Sequence, residues 1–187
     1  KLSDSWTQAN GSHGSDTFNT DGSSTGTAYA ADGSYSTYVN DGKGDITTTN
    51  YDANDNESGY STCVNDGKGN ATVKNFDVTG NLLGYSVTTN DGLGGVITTS
   101  YDANGVKVSD TWTKADGSHG LDIFNADGSC SVNAYTATGS YSSYVNDGLG
   151  DVATTYFDAN GLKLSDTWTK ADGTYGTDTF NANGSSS

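Results

Sequence analysis

Along this chain, aromatic and β-branched residues alternate with Thr, Ser and Asn in short runs, and each run ends at a turn marked by glycine. Stretches such as 45–51 (DITTTNY) and 95–101 (GVITTSY) are dense in Thr, Val, Ile and Tyr, the residues that fill a pleated surface well. The glycines Gly11, Gly22, Gly33 and Gly44 fall 11 residues apart, and Gly117, Gly128, Gly139, Gly150 and Gly161 repeat that spacing. Turns this frequent leave no room for helices, so the pattern predicts an all-β chain of strands of about eight residues joined by hairpins.

The turns share the phrase aromatic, Asx, Ala, Asx, Gly, as in Phe124-Asn125-Ala126-Asp127-Gly128 and Tyr101-Asp102-Ala103-Asn104-Gly105. An Asx side chain caps the loop, two residues take right-handed turn angles, and Gly takes the left-handed angle that it alone adopts cheaply. Such a type I turn with a glycine bulge joins antiparallel strands, which predicts a repetitive antiparallel hairpin meander. The alternative is a β-solenoid with parallel coils of about 22 residues, two periods each. In a meander, the aromatic before each turn faces the residue six positions later. The next aromatic of the 11-residue series then points to the opposite side, so both sheet faces are expected to carry aromatics.

A longer period overlies the short one. The segment KLSDSWTQANGSHGSDTFNTDGS from Lys1 returns in close copies from Lys107 and Lys163. Modules of about 25 residues begin at Tyr35, Tyr60 and Tyr85. The reading is one continuous array over residues 1–187, a stretch of a longer repetitive protein.

Composition narrows the picture further. Only 32% of residues are apolar and there is no Pro or Met, so a large oily core is excluded; yet 11% are aromatic at regular spacing, which disordered segments lack. The net charge of −15 makes nucleic acid and anionic lipid unsuitable partners and favours cations. No apolar run approaches a membrane span, so no membrane insertion is expected.

No catalytic group emerges: there is no nucleophile beside a histidine, no paired acid and base, and no phosphate loop, so the chain is read as a non-enzyme. His13 and His119 occupy the same repeat position, which Tyr175 takes in the third copy, and are read as packing or surface residues. The acidic loops carrying Asp41, Asp45, Asp66, Asp91, Asp147 and Asp151 are candidate calcium ligands, because a glycine-bent loop supplies part of the oxygen shell this ion needs. Calcium is the only candidate cofactor. An aromatic packing ladder is expected from Trp6, Phe18, Tyr29, Tyr51, Phe76, Tyr101, Trp112, Phe124, Tyr135, Phe157, Trp168 and Phe180. Cys63 and Cys130 lack zinc-type spacing and are left as a candidate disulfide pair, an intermolecular pair or free thiols. Thr-rich strands such as 47–49 also suit an ice-binding face, with strand propensity as the plainer reason for them.

The phrases YDANG at Tyr101 and FDANG at Phe157 resemble YD repeats of the Rhs type, and the NDGxGD stretch from Asn40 to Asp45 resembles haemolysin-type calcium-binding repeats. The first resemblance implies a spiralling β-sheet in a large secreted or surface protein, sometimes a shell around a toxin. The chain departs from it in lacking the Arg-Leu that commonly follows the glycine. Together these features make the expected function a structural repeat region of an extracellular fibre or filament, associating with other copies of itself through sheet faces or edges. The alternative is a calcium-stiffened adhesin stalk at the cell surface, meeting surface glycans or a host surface.

Overall fold

The computed structural model describes residues 2–181; the array's extremities, Lys1 and residues 182–187, lie outside the described residues. The chain is all-β. The strands are β1 (Leu2–Thr7), β2 (His13–Phe18), β3 (Ser24–Tyr29), β4 (Tyr35–Asn40), β5 (Ile46–Tyr51), β6 (Glu57–Asn65), β7 (Ala71–Phe76) and β8 (Leu82–Asn90), then β9 (Val96–Asp102), β10 (Lys107–Thr113), β11 (His119–Phe124), β12 (Cys130–Tyr135), β13 (Tyr141–Asn146), β14 (Val152–Phe157), β15 (Lys163–Thr169) and β16 (Tyr175–Thr179). Within each of the two units described below, sheet order follows chain order. The meander reading therefore holds and the solenoid alternative does not, because its coils would pair in parallel whereas these neighbours run antiparallel. The turn chemistry decides this: a glycine-bulge turn reverses the chain onto its own preceding strand.

Two compact units are distinguishable, Lys1–Thr89 with Tyr101–Val106, and Asn90–Ser100 with Lys107–Ser187. Within each, the six-residue rule for the turns applies. Tyr29 pairs with Tyr35, Phe18 with Ser24, Tyr135 with Tyr141 and Phe124 with Cys130. The loop 19–23 shows why. Asn19 N–H donates to the Ser23 carbonyl, Gly22 N–H donates to the Asn19 carbonyl, and Gly22 sits at φ 87°. The Asp21 carboxylate then accepts from the Ser23 amide and hydroxyl.

Capping comes in two forms. In loops such as 52–56 and 77–81 the first residue caps: Asp77 Oδ1 accepts from the amides of Thr79 at 2.8 Å and Asn81 at 2.9 Å. In loops such as 19–23 and 125–129 the third residue does so. At loops 52–56, 77–81 and 158–162 the first form accompanies an irregularity of register, between Asn50 and Tyr51, Asn75 and Phe76, and Tyr156 and Phe157, whereas loops 41–45, 66–70 and 147–151, also capped by their first residue, keep a regular register. These bulges lie where the repeat interval is longer than 11 residues, and each absorbs one extra residue.

No apolar side chain among the described residues is buried. Each unit presents both faces of its sheet to solvent, and what packing exists is lateral, between side chains on neighbouring strands.

Candidate interaction faces

Paired residues in an antiparallel sheet share a face, so the register assigns every strand residue to one side or the other. In the first unit, His13, Tyr29, Tyr35 and Tyr51 are successive partners across β2 to β5. Their ring centroids lie 4.9, 5.1 and 4.6 Å apart, the first and last pairs stacked and Tyr29 tilted by 32° to Tyr35. In the second unit, His119, Tyr135, Tyr141 and Phe157 form the same row at 5.1, 5.2 and 4.4 Å. Tyr60 on Phe76 and Tyr85 on Tyr101 add two shorter stacks. Each stacked pair contributes roughly 0.5–1.5 kcal/mol beyond the area it covers. Both histidines are thus packing residues, each with Nδ1 near the carbonyl of the turn glycine two positions before it.

The aromatic series expected from the sequence divides into three structural roles. Tyr29, Tyr51, Phe76, Tyr101, Tyr135 and Phe157 stand in stacks, but their partners are His13, Tyr35, Tyr60, Tyr85, His119 and Tyr141 rather than one another alone. Trp6, Trp112 and Trp168 each lie opposite a glycine, Gly14, Gly120 and Gly176, whose missing side chain leaves room for the indole. Phe124 and Phe180 lie under Lys107 and Lys163, with the ammonium 4.5 and 4.2 Å from the ring centroid. Phe18 is paired with Leu2 and Ser24 and is exposed.

In each unit the ring row defines a ladder face. Its strand positions on β2 to β5 and on β11 to β14 include no Asp, Glu or Lys. Beside the rings runs a row of Ser15, Thr27, Thr37 and Thr49 in the first unit, and of Leu121, Asn133, Ser143 and Thr155 in the second. Val39 and Val145, one step further along their strands, are 57% and 49% exposed.

The opposite face of β1–β5 and β10–β14 is different. It carries Trp6 or Trp112, and beside it a cross-strand carboxylate pair, Asp4 with Asp16 and Asp110 with Asp122; a third pair, Asp166 with Asp178 beside Trp168, stands on the ladder side instead, because Asp166 is opposite Thr155 and Trp168 opposite Ala153. Like charges directly opposed are unfavourable. In the first unit, Tyr38 reaches over Gly26 and its hydroxyl donates to Asp16 Oδ1 at 2.8 Å. In the second unit Val132 replaces that glycine, and Oδ1 of both Asp110 and Asp122 is shielded from water without a partner. Burial, and then the charge of Asp110, pushes the Asp122 carboxyl up, against Trp112 and Lys107, which act downward. Lys107 pairs with Asp110 and Lys163 with Asp166. Burial also acts upward on Asp166, but Lys163 and Thr155 outweigh it and hold its carboxyl below the usual range. A shallow trough floored by small residues follows this face beside each Trp, past Ala28 and Ser36 in one unit and past Ala134 and Ser142 in the other.

The six carboxylates singled out as calcium candidates are not brought together, and among the described residues no three His, Cys, Asp or Glu side chains form a group able to hold a metal. Asp41 Oδ1 accepts from the amides of Lys43 and Asp45, and Asp66, Asp91 and Asp147 cap their own loops in the same way. Asp45 and Asp151 tie one loop to another instead. Asp45 Oδ1 accepts from the Asn65 amide at 3.1 Å; Asp151 accepts from the Ala171 amide at 2.9 Å and from Lys170 Nζ at 2.6 Å. Sequence reasoning missed these ties, since nothing local marks a partner 20 residues away. Cys63 and Cys130 are free thiols, both half-buried.

Among the described residues no helix is long and apolar enough to cross a membrane. No protein-family model matches the chain, and no curated protein matches it either.

Proposed function

We propose that this chain is a structural repeat region that associates with further copies of itself, in a fibre or filament outside the cell. The observation that carries this reading is the absence of any buried apolar side chain among the described residues, in a chain whose rings and aliphatic groups are ordered in rows. The accessible surface is 11432 Å². A compact chain of 19.2 kDa would expose about 8,400 Å², so roughly 3,000 Å² more than usual stays in contact with water. That excess matches what extensive subunit interfaces remove.

The test is sedimentation of the purified chain over a wide concentration range, at low and at high salt. Self-association is expected to rise with concentration. It should strengthen with salt, because copies carrying −15 repel one another until screened. A chain that stays monomeric at millimolar concentration in high salt would overturn the reading. The second reading, a calcium-stiffened stalk, draws on the repeated acidic loops. It requires that calcium raise the melting temperature and that chelation reverse the gain.

A further inference from the structure

We infer that copies meet through the ladder face, the side bearing the stacked rings, and that its occupant is the same face of a second copy, packed sheet on sheet. This rests on the self-association reading above and says which surface performs it. Drying a surface is cheap only where no charge must be stripped of water, and the buried centres of interfaces are accordingly poor in Asp, Glu and Lys and rich in aromatics. The chain holds 31 charged residues, 8 basic and 23 acidic, yet none stands at a ladder-face strand position on β2 to β5 or on β11 to β14; the bordering strands β6 and β15 bring Glu57 opposite Tyr51 and Asp166 opposite Thr155, and these carboxylates bound the patch on that side. The other face fails the same requirement, because Asp16 and Asp122 stand at its middle and would be pressed against their own counterparts.

The occupant follows from area and charge. Four strands at about 4.8 Å spacing, each offering three residues along some 20 Å, make a patch of roughly 400 Å². Two such patches brought together remove about 800 Å² from water, below the range of a stable single interface. One contact is therefore weak. Each chain carries the patch twice, once per unit, so contacts can propagate from copy to copy instead of ending at a pair. A strongly acidic molecule meets another of the same charge with least repulsion where both surfaces are uncharged, and rows of Thr and Ser between Val and Tyr interdigitate as the inner faces of sheet packings do.

The experiment compares two double variants that add the same charge. Thr37→Glu with Ser143→Glu places a carboxylate at the middle of the ladder face in each unit. Asn50→Glu with Ser142→Glu places one on the opposite face. Circular dichroism first establishes that both retain the β-sheet spectrum; should the ladder pair unfold, the single Ser143→Glu variant is compared with Ser142→Glu. Sedimentation is then expected to show association weakened at least tenfold by the ladder-face substitutions, and by less than twofold by the others. Equal weakening by both, or greater weakening by the opposite-face pair, overturns the face assignment while leaving self-association intact. A native chain that does not associate overturns both.

Discussion

At the scale of single residues, the contrast between Gly26 and Val132 shows how one side chain changes its neighbours' chemistry. A Cβ at Gly26 would collide with the Tyr38 ring and with the Asp16 carboxylate, so glycine is what lets the tyrosine hydroxyl cross β3 to reach Asp16. With Val132 in that place, the Asp110 and Asp122 pair in the other unit keeps two shielded oxygens without donors. The folded-state pKa of Asp122 is raised. Its contribution is therefore favourable below the unfolded carboxylate range and lost as pH rises through the folded value, leaving a net cost at neutral pH. Asp122→Asn is expected to raise the melting temperature at pH 7 by a few degrees, with the gain shrinking as pH falls toward 4. Thermal melts at both pH values check this; an Asn variant less stable at pH 7 would show that the pair is not repulsive.

Turns and strands make up the next scale, and here the sequence was most legible. The position of glycine, the Asx caps and the six-residue register follow from local stereochemistry, which a short stretch of chain carries in full. From that register came the expectation that both faces carry aromatics, and Trp6 and Tyr29 do point to opposite sides. Less legible was the composition of the ring rows. Tyr35 and Tyr141 follow Tyr29 and Tyr135 by six residues, a signal already present in the register, whereas the residues that precede the turns, taken alone, leave both tyrosines out of the ladder. The bulges and the ties from Asp45 and Asp151 were hidden for another reason: they depend on which residue comes to lie beside a loop only after several strands have paired. The turn at Asp55 breaks the local rule. It is the only described non-glycine residue with positive φ, 64°, where the matching turn at 102–106 has Gly105 at 81°. Asp55→Gly is expected to stabilise the first unit by about 1 kcal/mol, since a left-handed backbone costs a side-chain-bearing residue that order of energy. Chemical denaturation measures it; a destabilised variant would mean that the Asp55 side chain contributes more than its backbone costs.

For the whole molecule, the capping carboxylates matter through their number. Hydrogen bonds from Asn81 and Thr79 hold the Asp77 carboxyl at about 2, below its ordinary 3.8. Asp21, Asp32, Asp52, Asp66, Asp116 and Asp127 are lowered by the same kind of loop contacts. A depressed folded pKa gives stability that is present above the unfolded value and lost as pH falls through the folded one. The array is therefore expected to keep its stability down to about pH 4 and to lose it steeply between there and pH 2. A melting temperature unchanged across that interval would mean that the caps do not hold the loops.

The strand order within each unit, in which a strand's sheet neighbours are also its chain neighbours, has a kinetic side. Most β proteins fold slowly because distant segments must find each other before any pairing is rewarded. Here the mean sequence separation between contacting strands is only about one hairpin, so the entropic cost of closing each loop is small and is met one turn at a time. Such a chain can fold progressively as it emerges from a ribosome or a pore. An error in one repeat then stays confined to its neighbours, as expected of a lattice coupled only between adjacent units.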